Sequence, residues 1–246
     1  MRVSANEILA VLTSREIPDH SSVFVGIGIS QLAVELAKLL GKKVSIIYEG
    51  GSVDPTLNPE MMPYSTNDVS VGYKATMFPS CVETFLYLQR GLIDIAMMGA
   101  AQVDRYGNIN TTFINRPGSP IYLPGSGGGC DLASLAKETY IITLLEKRKF
   151  VERVDYITSP GHVPGRSRSG LLGNGPSKVI TDKAIFQFNP KGEMELVAVL
   201  EGVEVDEVLS QMGFKPQINP NLKKLSPPSE EELRLLRSLD PLRVFL

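Results

Sequence analysis

The sequence is poor in the residues on which several common chemistries depend. It has two histidines, His20 and His162, far apart along the chain. That scarcity weighs against zinc chemistry and against serine or cysteine triads alike, because each relies on imidazole. Its two cysteines, Cys81 and Cys130, stand at no metal-binding or redox spacing, and a cytoplasmic protein with free thiols is the simplest account. No metal site is expected. No apolar run approaches ~18 residues, so no membrane span is expected. The opening MRVSANEILAVL has neither a basic start nor a long apolar core and does not read as a signal peptide. Charge of one sign is also missing: 25 Lys plus Arg stand against 27 Asp plus Glu, with no basic arm or stripe, which argues against a nucleic-acid partner.

What remains is ordinary globular composition. The chain has 246 residues, of which 43% are hydrophobic, enough for a proper core. There is no internal repeat, low-complexity tract or convincing linker, so a single domain over residues 1–246 is expected.

The most informative stretch is VSIIYEGGSVDP, residues 44–55. Val44 to Tyr48 is a short apolar, β-rich run that reads as a strand buried on both faces, as in a parallel sheet. Glu49 follows at once at the strand's carboxyl end, where ligands of open α/β sheets bind. Gly50 and Gly51 then free the backbone to turn and let another molecule approach closely. Read singly, a strand-end glutamate is more often a solvated loop residue.

Upstream, Ser4 and Glu7 form a capping box for a first helix. Ser22 to Val25 reads as a strand, and Gly26-Ile27-Gly28 leads into an amphipathic helix through Leu40 that stops at Gly41. Gly-x-Gly between strand and helix, with an acid about 20 residues on, is also the dinucleotide fingerprint, in which Glu49 would hold a ribose. Gln31 stands where a third glycine would allow close packing, so the fingerprint is incomplete.

Residues 52–78 read as a long irregular loop, of a kind usually functional or in contact with a partner. Ser80 and Glu83 cap a helix through Arg90, and Ile93 to Met98 reads as a buried strand. Gln102, Asp104, Asn108 and Asn110 gather around a Tyr106-Gly107 turn. Leu123 to Asp131 holds four glycines in five positions, with Asp131 expected to cap a helix over Leu132 to Lys137. Backbone N–H groups at such a point can hold a phosphate or an oxyanion. No Gly-Lys-Ser/Thr closes the loop, so it is not a P-loop. Tyr140 to Leu145 and Val154 to Thr158 read as strands. Residues 159–177 read as a second long loop. Val179 to Thr181, Ala184 to Phe188 and Met194 to Leu200 suggest an antiparallel addition at the sheet's edge. Val205 to Met212 is expected as a helix, and Ser229 with Glu232 caps a last one.

Five segments carry a resemblance. They are IIYEGGSVDP, MGAAQVDRYGNINTT, LPGSGGGCDLASLAKETYII, RKFVERVDYITSPG and GPSKVITDKAIFQF. In this order they resemble the β subunit of glutaconate-type CoA-transferases, within the family I CoA-transferases. The resemblance implies a NagB/RpiA/CoA-transferase-like α/β fold, mostly parallel with flanking helices. It implies that Glu49 is the nucleophile and that Gly125, Gly127 and Gly128 form a G-x-G-G loop against the thioester. Gly50, Gly51 and Gln102 are counted with them as oxyanion or CoA contacts. It implies coenzyme A as substrate and carrier with no permanently bound cofactor, a small carboxylic acid as second substrate, and an α subunit as partner in a hetero-oligomer. The family commonly has Ser or Asn after the glutamate, whereas this chain has Gly50, which removes a hydrogen-bonding side chain beside the nucleophile. Some relatives that lack the glutamate do other CoA-thioester chemistry, such as decarboxylation or ring hydrolysis. A hydrolase or lyase, or a nucleotide-binding module, is therefore the alternative.

Overall fold

The computed structural model describes residues 3–162 and 170–246. They form two compact units, one built from the chain up to Met98 together with Pro227–Leu246, the other from Gly99–Ser226. Part of the 159–177 loop, residues 163–169, lies outside the described residues.

In the first unit, α1 (Ala5–Glu16) starts on the expected capping box, with Ser4 Oγ accepting from the Glu7 amide and Glu7 Oε2 from the Ser4 amide. It leads to β1 (Ser21–Val25), α2 (Ile29–Leu39) and β2 (Val44–Tyr48). β1 and β2 run parallel from Ser21 opposite Val44 to Val25 opposite Tyr48. β3 (Ser52–Val53) folds back antiparallel onto β2. α3 (Cys81–Gln89) starts on the Ser80–Glu83 capping box, and its Phe85 ring lies 6.0 Å from that of Phe24 on β1. β4 (Ile95–Gly99) is parallel to the other side of β1. The loop at 52–78 is thus less irregular than its sequence, since it contains β3 and a 3₁₀ turn at Val69–Gly72. The C-terminal helix (Glu230–Leu239) closes the unit, placing Leu236 and Leu239 on Ala10, Val11, Leu32 and Leu36. Arg237 Nε donates to the buried Glu7 carboxylate at 2.7 Å, and Arg15 pairs with Glu232. Burial alone would raise the Glu232 carboxyl, but the Arg15 hydrogen bond and the cap donors at Ser229 hold it at about 2.

The second unit begins with two small hairpins, β5 (Gln102–Val103) with β6 (Ile109–Asn110) and β7 (Phe113–Ile114) with β8 (Ile121–Tyr122). After α4 (Gly129–Leu135) come β9 (Glu138–Ile142) and β10 (Pro176–Ile180), which are parallel. β11 (Ala184–Phe188) and β12 (Met194–Leu200) then add antiparallel, as expected. α5 (Val205–Ser210) connects to β13 (Gln217–Leu225), which returns parallel to β12. Tyr140, Phe150, Val179, Phe186 and Leu196 fill the core, with the rings of Phe150 and Phe186 5.9 Å apart.

Two expectations fail here. Val154 to Thr158 is not a strand, because Asp155 and Thr158 turn their hydrogen bonds to side chains and loop backbone. Asp131 is not a cap: α4 starts earlier, Gly128 is its N-cap, and Asp131 sits inside the first turn. Among the described residues, no helix is long and apolar enough to cross a membrane, and no three His, Cys, Asp or Glu side chains cluster to hold a metal.

Candidate active site

The α/β arrangement delivers Glu49 to the first position past the carboxyl end of β2. Tyr48, the last strand residue, is wholly buried, Glu49 is half-buried and Gly50 is exposed, so the chain emerges from the core at this point. The Gly51 amide donates to the Tyr48 carbonyl at 3.0 Å and closes the turn. Thr84 Oγ1, from the buried face of α3, reaches the Glu49 carbonyl oxygen at 3.2 Å. Ser52 Oγ donates to the Val71 carbonyl at 2.6 Å and holds the following loop against the turn.

The two glycines are required for different reasons. Gly51 has φ +98°, in the region L-residues avoid, and a Cβ there would run into the Pro79 carbonyl just before the α3 cap. Gly50 has no positive φ. A Cβ on it would instead overlap the Thr66 carbonyl and the Asn67 carboxamide, because the turn from Ser65 to Asp68 lies directly over it.

Behind the strand lies a buried polar set. Gln31 and Glu35 occupy successive turns of α2, and both are buried with Tyr48. Burial raises the Glu35 carboxyl to about 6, opposed by Lys38 and reinforced by Asp54. Burial first, and the Glu35 charge second, push the Tyr48 hydroxyl upward. At the Gly-x-Gly stretch, Gly28 has φ +98° and caps α2 without a side-chain bond. A Cβ there would stand 3.8 Å from the ring of Phe245, whose backbone carbonyl is held by Asn6. The Phe245 ring of the C-terminal tail therefore lies next to Gly28 at the start of the helix.

In the second unit, the glycine-rich loop is fastened at one end. The Gly125 amide donates to the Thr111 carbonyl at 2.8 Å, and Thr111 Oγ1 donates back to the Gly125 carbonyl at 2.8 Å. Gly125 and Gly127 both have positive φ. Within the described residues, the Gly127 and Gly128 amides donate to no protein acceptor. Gln102 is 6% exposed and its carboxamide is engaged. It donates to Asp155 at 2.9 Å and accepts from the Asn110 side chain and the Asp155 amide. Asp104 and Asn108 likewise bond each other and the hairpin backbone, and Asn108 Oδ1 accepts from Gly161. Gln102, Asp104, Asn108 and Asn110 thus tie the β5–β6 hairpin to the segment from Asp155 to Gly161.

The sequence profile of the coenzyme A transferase family matches residues 6–211. The chain belongs to the coenzyme A transferase family. It is 37% identical to the B subunit of the 3-oxoadipate CoA-transferase of Pseudomonas knackmussii, over 96% of this chain and 93% of that one. It is 32% identical to the B subunit of the glutaconate CoA-transferase of Acidaminococcus fermentans, over 98% and 94%. The crystal structure of that glutaconate enzyme superposes with a TM-score of 0.88, covering 99% of this chain and 97% of that one. The decarboxylase AibA/AibB shares the fold at a TM-score of 0.82, with 21% identity, 99% of this chain and 97% of that one. In this CoA-transferase chain, sequence reasoning missed Thr84 and Asn67 beside the Glu49 turn. Neither carries a sequence signal, since each reaches the turn only through tertiary folding.

Proposed function

We propose that this chain is the β subunit of a CoA-transferase that moves CoA between an acyl-CoA and a small dicarboxylic acid through a thioester on Glu49. The observation that carries the reading is the position of Glu49. A half-buried carboxylate residue stands at the carboxyl end of a parallel strand, on a tight turn made by two glycines that other backbone segments pack against. The relatives that match over nearly the whole chain are named for glutaconate and 3-oxoadipate, both dicarboxylates, which supports that substrate class.

A carboxylate oxygen of Glu49 attacks the thioester carbonyl of acyl-CoA, the C–S bond breaks, and a mixed anhydride and CoA thiolate result. The thiolate attacks the Glu49 carbonyl and expels the acyl group as its free carboxylate, leaving a glutamyl-CoA thioester. The carboxylate of the second acid attacks that thioester, and the same two steps run in reverse. Oxyanions form at each carbonyl and need hydrogen-bond donors; within the glycine-rich loop, the amides of Gly127 and Gly128 are uncommitted among the described residues. Gln102 supports this loop region by positioning, through the network to Asp155 and Asn110. No step needs an imidazole, in keeping with two histidines.

The relatives are named as B subunits, and this chain is proposed to require an α partner. The surface supports it: Tyr64, Val69, Phe78 and Val82 are large, apolar and mostly exposed within one segment of the first unit. The test is to co-express the chain with its α partner and add acyl-CoA without an acceptor. Intact mass and peptide mapping should find CoA on Glu49, and the Glu49→Gln complex should bind CoA yet form no adduct. An adduct elsewhere, or ordinary turnover by Glu49→Gln, would refute the assignment. Full activity from the chain alone would refute the partner.

A further inference from the structure

The turn over Gly50 brings a second functional group against the residue that follows Glu49. Gly50 follows Glu49 directly, and the space a side chain at residue 50 would occupy is filled by the carboxamide of Asn67 and the carbonyl of Thr66. The turn that carries them is pinned from several sides. The Asp68 amide donates to the Ser65 carbonyl at 3.0 Å and the Asn67 amide to Ser65 Oγ at 3.2 Å. Asp68 Oδ1 accepts from the amide and hydroxyl of Ser70, both at 3.0 Å. Ser52 holds Val71, and the Thr76 amide donates to the Val53 carbonyl. Asn67 is therefore an exposed residue on an anchored turn, and among the described residues its side-chain amide bonds to no protein group. Backbone order with an uncommitted polar head leaves the donor available to a ligand at little ordering cost, because the turn already provides the order.

We infer that Asn67 is a specificity-determining residue of this transferase: its carboxamide, whose Oδ1 takes the place of a side chain at position 50 and whose Nδ2 donates to no protein group among the described residues, meets the carboxylate of the acceptor acid beside Glu49 through that Nδ2. The inference rests on Glu49 being the nucleophile. An amide suits this position better than a cation. It donates to a carboxylate, yet it adds no charge that would pair with Glu49 itself and withdraw the nucleophile.

The experiment separates acid capture from the state of Glu49. The αβ complex is loaded with acyl-CoA to give the Glu49-CoA thioester, and the thioester is then discharged either by the acceptor acid or by hydroxylamine, a small neutral nucleophile. Wild type, Asn67→Ala and Asn67→Asp are compared. Loss of one hydrogen bond to a charged group lowers kcat/KM for the acid about tenfold in Asn67→Ala. Asn67→Asp keeps the shape but sets a second carboxylate against the acid, and lowers it about a hundredfold. Discharge by hydroxylamine stays at the wild-type rate in both, and so do their melting temperatures, since the side chain is exposed. Equal acid capture by Asn67→Asp and wild type overturns the inference. So does a parallel loss of acid and hydroxylamine discharge, which would mean that Asn67 only maintains the turn. Absence of a Glu49 adduct in wild type is a different result: it overturns the nucleophile assignment, and this inference with it.

Discussion

Glu35 offers a test of the core beneath the site that needs no substrate. It lies on α2 with 8% of its surface exposed, and burial raises its carboxyl from 4.5 to about 6. The folded chain thus retains a proton that the unfolded chain releases at lower pH. Stability contributed by the neutral acid is fully present below about pH 4.5 and is lost as pH rises toward about 6. A shift of this size corresponds to about 2 kcal/mol, which stays lost at neutral pH. Glu35→Gln abolishes the ionisation at nearly constant volume. Urea unfolding should therefore find the variant about 2 kcal/mol more stable at about pH 7.5, equal to about 4–8 °C in melting temperature for a chain this long, with the difference vanishing near about pH 4. Parallel pH profiles for the two proteins would show that Glu35 is not penalised as its burial implies. A variant less stable at neutral pH would show that the ionised carboxylate has found partners that outweigh the cost.

Gly51→Ala puts an L-residue at φ +98° against the Pro79 carbonyl. The conformational term alone costs about 1–2 kcal/mol, so denaturation should show at least that loss together with a fall in turnover; an unchanged midpoint would mean the turn opens freely. Glu7→Ala removes the fully buried partner of Arg237 and half of the α1 capping box. About 2 kcal/mol should be lost, less than for a fully buried pair because Arg237 reaches solvent. Hydrogen exchange should rise first in the C-terminal helix, and uniform exchange across the first unit would contradict that order.

Local chemistry was the legible part of the fold. All three capping boxes, at Ser4, Ser80 and Ser229, formed as read, because each needs only residues three apart. β13 was not legible. Gln217–Leu225 carries Pro220 among Asn219, Asn221, Lys223 and Lys224 on a mostly exposed face, and it becomes a strand because β12 offers it an edge. Val154 to Thr158 misled in the opposite direction. Its residues favour a strand, but Gln102 takes the Asp155 amide, and Thr158 turns its hydroxyl to the Thr111 amide.

The site shows the same division at closer range. A strand ending in Glu-Gly-Gly announced a turn with a carboxylate on it, and both the turn and its position at the end of β2 are present. The resemblance implied that glycine at residue 50 removes a hydrogen-bonding side chain beside the nucleophile. The structure fills that space from the Ser65–Asp68 turn. The two adjacent glycines therefore answer to different constraints, Gly51 to its own φ and to Pro79, Gly50 to the body of a turn far along the chain. This has a consequence for substitutions. Gly50→Ser introduces no backbone strain, yet it must displace Thr66 and Asn67 before its hydroxyl can serve. It should behave as a perturbation of that turn rather than as a gain of a hydrogen bond, and its effect should not add to that of Asn67→Ala, because both changes act on the same contact.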